Sequence, residues 1–284
     1  MTTLHELARA KINLALHVRR RRADGYHELE TLFAFCTVGD ELGAEPAAAL
    51  SLAVEGPFSG PLRADAEAAA DNLVLRAARA LAIEAGLTAG ARLTLVKNLP
   101  VASGLGGGSA DAAAALRLLN RLWGLDWPLD RVSAIGARLG ADVPVCVHSR
   151  PMRGEGVGER LRPITLPPQP LVLVNPGVAV STAAVFRAWD GNDRGELASG
   201  DALQAAQAGR NDLEAPARAI APAVGAALDS LACQPGAMLV RMSGSGATCF
   251  ALFESDSARD RAAHAIAADQ RGWWVAATRL DAAP

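Results

Sequence analysis

Hydrophobic positions along the chain fall into two periods. Ala8–Val18 is apolar with Lys11 and Asn13 set into it. That pattern predicts a strand whose polar side chains require partners or a ligand. Glu28–Val38 predicts a second strand and Leu42–Val54 further strand, with the charged stretch Arg19–Gly25 as a turn and Pro57, Gly60 and Pro61 marking a loop. The period then changes. Val74, Ala77, Ala78 and Leu81 recur at i, i+3, i+4 and i+7 and predict a helix over Asn72–Ala85, ended by Gly86. Arg92–Lys97 reads as a strand that runs into a glycine-rich turn. A helix follows from Ala110 to Trp123, with Ala112, Leu116, Leu119 and Trp123 on one face, and another spans Asp130–Leu139 and stops at Gly140.

Arg150–Pro170 is rich in Gly, Pro and Arg and is the best candidate for a boundary, which gives lobes of residues 1–160 and 161–284. Beyond it, Leu171–Asn175 reads as a buried strand halted by Pro176-Gly177. Ser181–Trp189 reads as a helix capped by Ser181 or Thr182. After a polar, glycine-punctuated region come a helix at Pro222–Leu231 and strands at Met238–Met242 and Thr248–Phe253. A last helix spans Ser257–Gln270 and a last strand Trp273–Leu280. No fixed-period repeat is present. Strands mixed with helices indicate an α+β (mixed α/β) class.

Composition narrows the function. A length of 284 residues suits one large domain or two fused lobes. A formal net charge of -2 lacks the basic excess of a nucleic-acid binder. The cluster Arg19-Arg20-Arg21-Arg22 reads either as a solvated loop or as a cationic rim that attracts a phosphorylated ligand. Cys36, Cys146, Cys233 and Cys249 lie in apolar surroundings without a Cys-x-x-Cys pair, which points to buried thiols in a reducing compartment. Neither a zinc site nor a disulfide framework fits that spacing. No basic-then-apolar leader opens the chain and no apolar run is long enough to span a bilayer, so a cytoplasmic protein with small-molecule partners is expected, with neither nucleic acid nor membrane.

The strongest chemical signal is Pro100-Val101-Ala102-Ser103-Gly104-Leu105-Gly106-Gly107-Gly108-Ser109-Ala110-Asp111. Glycines let the main chain approach a ligand closely. Successive N–H groups and the positive end of the following helix then form a phosphate cradle. Ser109 can cap that helix or bind phosphate or metal, and Asp111 reads as a first-turn carboxylate that favours the helix dipole or caps the helix. The segment is no P-loop, because it lacks Gly-Lys-Ser/Thr, and no dinucleotide fingerprint, because Ser109 stands at the last glycine position.

This segment resembles the central ATP-binding motif of the GHMP kinases, the family of galactokinase, homoserine kinase and mevalonate kinase. Met242–Phe253, with Ser243-Gly244-Ser245-Gly246, resembles the family's C-terminal glycine motif, and Ala10-Lys11-Ile12-Asn13-Leu14 its opening motif. Asp24-Gly25-Tyr26-His27-Glu28-Leu29, Gly140-Ala141-Asp142-Val143-Pro144, Gly156-Val157-Gly158-Glu159 and Asn175–Thr182 select one branch. Its acceptor is a cytidine diphosphate-linked polyol on the non-mevalonate route to isoprenoid precursors.

The resemblance covers the whole chain and implies a two-lobed fold with the active site in the cleft between lobes, ATP and Mg²⁺ as cofactors, and transfer of the γ-phosphate to an alcohol. By the same resemblance Asp142 is the catalytic base and Lys11 steadies the developing alkoxide. Tyr26 and Phe186 sandwich the cytosine and His27 bonds its edge. Asn13, Phe33 and Thr182 line the substrate pocket, and Asn72 lies near the ATP base. The nucleotide is held by Pro100, Val101, Ala102, Ser103, Gly104, Leu105, Gly106, Gly107, Gly108, Ser109 and Ala110, and by Ser243, Gly244, Ser245 and Gly246. Ala110 stands where members often carry a second serine. No side chain is assigned to the metal, and Ser109 is the candidate hydroxyl. Two rivals stay open: a non-catalytic nucleotide sensor, and a kinase for homoserine or mevalonate.

Overall fold

The computed structural model describes residues 3–63 and 71–281. The chain divides into two compact units. The first holds Met1–Ala10, Gly39–Val101 and Gly106–Ser149; the second holds Lys11–Val38, Ala102–Leu105 and Arg150–Pro284. Two long paired strands, β1 (Leu4–Arg21) and β2 (His27–Ala47), each contribute to both units. The expected first turn is therefore shorter than its charge suggested, because Arg19–Arg21 belong to β1.

In the first unit, Glu41–Ala47 of β2 pairs antiparallel with β4 (Gly90–Val96), and β3 (Ser51–Glu55) lies parallel to β4. The expected strand Leu42–Val54 is thus the end of β2 and, after a break, β3. Parallel neighbours need a crossover, and α1 (Gly60–Arg63) and α2 (Leu73–Ala85) lie along it. Asn72 caps α2 by accepting from Val74 N at 2.9 Å, and Gly86 closes it in the left-handed conformation.

Three more helices follow: α3 (Gly107–Leu122), α4 (Leu129–Ala137) and α5 (Val143–His148). The expected single apolar face of α3 is replaced by burial all round. Every residue from Ala110 to Leu116 is buried, while Trp123 is only half-buried. Alanine side chains are short enough for α2, α4 and α5 to close on α3 from several sides.

In the second unit, Leu29–Phe33 of β2 pairs with β5 (Met152–Gly156), which forms a hairpin with β6 (Arg160–Pro163). A stretch with the composition of a linker is therefore sheet. The unit also holds an antiparallel sheet in the order β10 (Trp274–Arg279), β7 (Pro170–Asn175), β9 (Cys249–Phe253), β8 (Ala237–Met242). Its helices are α6 (Thr182–Ala188), α7 (Ala202–Ala208), α8 (Glu214–Ile220), α9 (Pro222–Ala232) and α10 (Asp256–Asp269). Ser181 caps α6 and Ser255 caps α10.

Every residue of β7 and β9 is buried. Val172, Val174 and Phe253 pack with Val185 of α6, Leu228 and Leu231 of α9 and Ile266 of α10 into one core. Each such side chain contributes about 1.5–3 kcal/mol when fully withdrawn from water. Cys36, Cys146 and Cys249 are buried as expected, but Cys233, just past α9, is exposed.

Candidate active site

The first half of the glycine-rich turn is built into the second unit. Lys11 N–H donates to the carbonyl of Leu105 at 2.9 Å, and Thr248 N–H to that of Ser103 at 2.9 Å. The Ser243 hydroxyl, fully buried, donates to the carbonyl of Gly104 at 2.8 Å. The two glycine-rich segments thus meet. Gly104 lies at φ +78, and a Cβ there would stand 2.5 Å from the Ser243 carbonyl oxygen. Asn211 holds the far segment in place by donating through Nδ2 to the carbonyls of Met242 and Gly244, both at 2.8 Å.

Lys11 and Asn13, two residues apart on one face of β1, are both buried. Lys11 Nζ donates to Asn13 Oδ1 at 3.1 Å and lies 5.2 Å from the centre of the Phe33 ring. Asn13 Nδ2 donates to Thr31 Oγ1 at 2.8 Å, and Asn13 N–H reaches Ser243 Oγ at 3.3 Å. The structure therefore brings Lys11, Asn13, Phe33, Gly104 and Ser243 together within the second unit. Thr31, which sequence reasoning passed over, orients Asn13; standing between Glu30 and the apolar run Leu32–Cys36, it gave no signal of that contact.

Tyr26 is 62% exposed at the turn between β1 and β2. His27 lies with its ring centre 4.9 Å from that of Phe186, tilted by 37°, and 5.7 Å from that of Trp189, edge-on. Burial, helped by the charge of Arg21, lowers the His27 pKa and favours the neutral ring. Among the described residues, its buried Nε2 has no hydrogen-bond partner. Trp189 was missed as a neighbour of His27, although it ends the helix that carries Phe186. Thr182 Oγ1 lies 2.9 Å from Ser245 Oγ, so the start of α6 is bonded to the second glycine-rich segment.

The second half of the turn opens α3 in the first unit. Gly107, Gly108 and Ser109 are helical, and Gly106 is the N-cap at φ +64 with no side-chain capping bond. The half-buried Ser109 therefore does not cap this helix. Asp111 is neither a cap nor an exposed first-turn carboxylate. It is 4% exposed and accepts from Lys97 Nζ at 2.7 Å. Lys97 also pairs with Asp40, which is fully buried. Burial pushes the Asp111 carboxyl up to about 7; Lys97 pulls against the rise and Asp40 adds to it. Burial works against the charge of Lys97, but its two carboxylate partners outweigh it and raise the pKa. Only the Asp111 end of this cluster was singled out in the sequence.

Asp142 sits at the N-cap of α5, half-buried, and its side chain does not cap that helix. Arg117 of α3 holds α5 by donating to the carbonyls of Cys146 at 2.6 Å and Val147 at 3.2 Å. The Arg19–Arg22 cluster is largely neutralised: Arg19 pairs with Glu30 and Asp193, Arg20 with Glu28 and Arg22 with Asp24. Arg21 donates to the carbonyls of Arg187 and Trp189. The reading as a cationic rim is thereby weakened, because three of the four guanidinium groups already face carboxylates.

Comparison with known proteins gives a consistent result. Residues 72–150 match the GHMP kinases N terminal domain and residues 190–271 match GHMP kinases C terminal. The chain is 56% identical over 278 residues to the 4-diphosphocytidyl-2-C-methyl-D-erythritol kinase of Rhizorhabdus wittichii, spanning 97% of this chain and 94% of that one. It is 53% identical over 285 residues to the protein of the same name from Cereibacter sphaeroides, spanning 96% and 98%. A crystal structure of 4-(cytidine 5'-diphospho)-2C-methyl-D-erythritol kinase aligns with a TM-score of 0.78 at 38% identity, over 98% of this chain and 100% of that one. The fold extends to homoserine kinase from Cytophaga hutchinsonii, with a TM-score of 0.71 at 16% identity.

Proposed function

The chain belongs to the GHMP kinases, and within them to the 4-diphosphocytidyl-2-C-methyl-D-erythritol kinases, and from that premise we propose that it transfers the γ-phosphate of ATP to the 2-hydroxyl of 4-diphosphocytidyl-2-C-methyl-D-erythritol. The products are the 2-phosphate and ADP, on the non-mevalonate (methylerythritol phosphate) route to isoprenoid precursors. The observation that carries this reading is the bond from Ser243 to Gly104, which joins the two glycine-rich segments next to the main chain of Lys11.

Phosphoryl transfer depends chiefly on positioning and on neutralising charge. In this reading the N–H groups at the start of α3 and the Ser243–Gly246 segment hold the triphosphate. Asp142 accepts the proton of the acceptor alcohol as transfer proceeds, and the Lys11 ammonium stabilises the developing alkoxide. The cation–π distance to Phe33 and the bond to Asn13 support Lys11 as a fixed rather than a wandering charge. Tyr26 and Phe186 stack on the cytosine, and the unpartnered Nε2 of His27 supports a bond to its edge. Asn13, Phe33 and Thr182 line the substrate pocket. Asn72 lies near the ATP base, with its Oδ1 already engaged in capping α2.

Mg²⁺ prefers phosphate and water oxygens over an all-protein cage. Among the described residues no group of three or more His, Cys, Asp or Glu could hold a metal ion. No side chain is assigned to the ion; the Ser109 hydroxyl, in the first turn of α3, is the candidate ligand. When bound, the ion would neutralise charge on the phosphates. The lobes proposed for this kinase, 1–160 and 161–284, each contain one of the family matches. We also propose a cytoplasmic location, with ATP and the cytidyl alcohol as small-molecule partners and neither nucleic acid nor membrane. Among the described residues no helix is long and apolar enough to cross a membrane.

The test is ADP release from ATP with the cytidyl alcohol, homoserine and mevalonate side by side, with the product identified by phosphorus NMR. Turnover with the cytidyl alcohol alone is expected. Preference for another alcohol, or binding of both substrates without ADP, overturns the proposal.

A further inference from the structure

The glycine-rich turn leaves the first unit after Val101 and returns to it at Gly106. Lys97 lies on the incoming limb and Asp111 on the outgoing one, 14 residues later. Their side chains meet inside the first unit, where Lys97, Asp40 and Asp111 are 2%, 0% and 4% exposed. Asp40 Oδ1 accepts the N–H groups of Asn98 at 2.6 Å and Leu99 at 2.8 Å, which fixes the incoming limb. Its Oδ2 accepts from Lys97, and Lys97 then reaches Asp111 in the second turn of α3. The cluster lies directly beneath the first turn of that helix: a Cβ on Gly107 would stand 3.4 Å from Lys97 Nζ and 3.7 Å from Asp40 Oδ2.

Such a cluster is a poor device for stability. Removing each ion from water costs several kcal/mol, and apolar residues of similar volume often do as well or better. Here the cost is not fully recovered, because Asp111 Oδ1 is buried without a hydrogen-bond partner among the described residues. A buried ionic group is better suited to fixing one geometry. The geometry in question is the position of the N–H groups at the start of α3, where small displacements of a bound phosphate carry large penalties.

We propose that Lys97 and Asp111 form a clasp across the base of the turn, acting as positioning residues that hold the first turn of α3 where it receives the nucleotide's phosphates. The proposal rests on the reading of this turn as the ATP loop. Asp111 grips the cluster through Lys97. Cutting there releases the outgoing limb and leaves the Lys97–Asp40 pair intact.

The experiment uses the full chain with Asp111→Ala and Asp111→Asn. ADP affinity is read by calorimetry, KM for ATP and for the cytidyl alcohol by steady-state kinetics, and Tm by melting. Asp111→Ala is expected to weaken ADP binding and raise KM for ATP by about fivefold or more, a loss of about 1 kcal/mol. KM for the alcohol should stay within about twofold. Asp111→Asn, which keeps an acceptor for Lys97, should restore ADP affinity to within about twofold of the parent chain. A lower Tm with unchanged nucleotide affinity overturns the clasp, as does an equal loss for both substrates. If Asp111→Ala does not fold, Asp111→Ser is used in its place. Failure of both to fold overturns the proposal by making the cluster a requirement for stability. The underlying reading fails separately: a parent chain that binds ADP but phosphorylates no cytidyl alcohol refutes the acceptor and leaves the clasp test in force.

Discussion

The Ser243 hydroxyl meets the carbonyl of Gly104 across 139 residues of sequence. The backbone at Gly104 is left-handed, and the carbonyl oxygens of Ser243 and Gly246 would lie 2.5 and 2.7 Å from any added Cβ. Gly104→Ala therefore combines conformational strain with contacts to unyielding main chain. We expect a loss of more than about 2 kcal/mol in stability. ADP affinity should fall at least tenfold, about 1.4 kcal/mol. Urea unfolding and calorimetric titration with ADP measure the two effects. An alanine variant that binds ADP like the parent would show that the close approach is not required.

Removing charge at the reacting centre should affect turnover more than binding. Lys11→Met and Asp142→Asn are each expected to lower kcat by about 10²–10⁴-fold. KM for ATP should change little, because neither side chain is assigned to the nucleotide. Steady-state kinetics at saturating cytidyl alcohol decide this. A selective rise in KM for ATP would assign either residue to the wrong substrate.

Tyr26 and Phe186 are assigned to the base of the acceptor. Stacking on a base is worth about 1–3 kcal/mol per aromatic ring removed. Tyr26→Ala and Phe186→Ala should therefore raise KM for the cytidyl alcohol by about tenfold or more, with KM for ATP held within about twofold. Equal damage to both constants would remove the aromatic pair from base recognition.

His17 makes stability depend on pH. Its Nδ1 lies 3.1 Å from the carbonyl of Gly195, and its Nε2 accepts the N–H of Arg210 at 3.2 Å, a pair of contacts that only the neutral ring satisfies. Burial, followed by the charge of Arg210, lowers its pKa below 6.5. As pH falls through 6.5 the unfolded chain takes up a proton that the folded chain refuses. The contribution is therefore full above that pH and is lost below it. The stability difference between the parent and His17→Gln, measured by urea unfolding, should narrow as pH drops through this window. A constant difference would show that His17 has the same pKa in the folded and unfolded states.

What the sequence made legible depended on how local each cause was. The start and end of α2 could be read because Asn72 bonds a backbone group two residues away and Gly86 takes a backbone angle that side chains resist. The glycine-rich turn could be read for the same reason. The β5–β6 hairpin could not. Gly154 is there because a Cβ would stand 2.6 Å from the Phe33 ring, and Phe33 lies on another strand. A packing constraint thus looks like a linker in one dimension. The short helices α7 and α8, of 7 residues each, are too brief to show a period. Asp40 gave no signal, since its partner Lys97 lies 57 residues away.

The alanine run of α3 sets how the chain can vary. With neighbours close on several sides from Ala110 to Leu116, each added methyl group must displace another element. Glycine and serine are about the only exchanges small enough to enter without that displacement, and each lowers helix propensity. A stretch that looks like low-information sequence is thus among the least replaceable in the molecule, and a survey of tolerated variants would find its sharpest gap where the side chains are smallest.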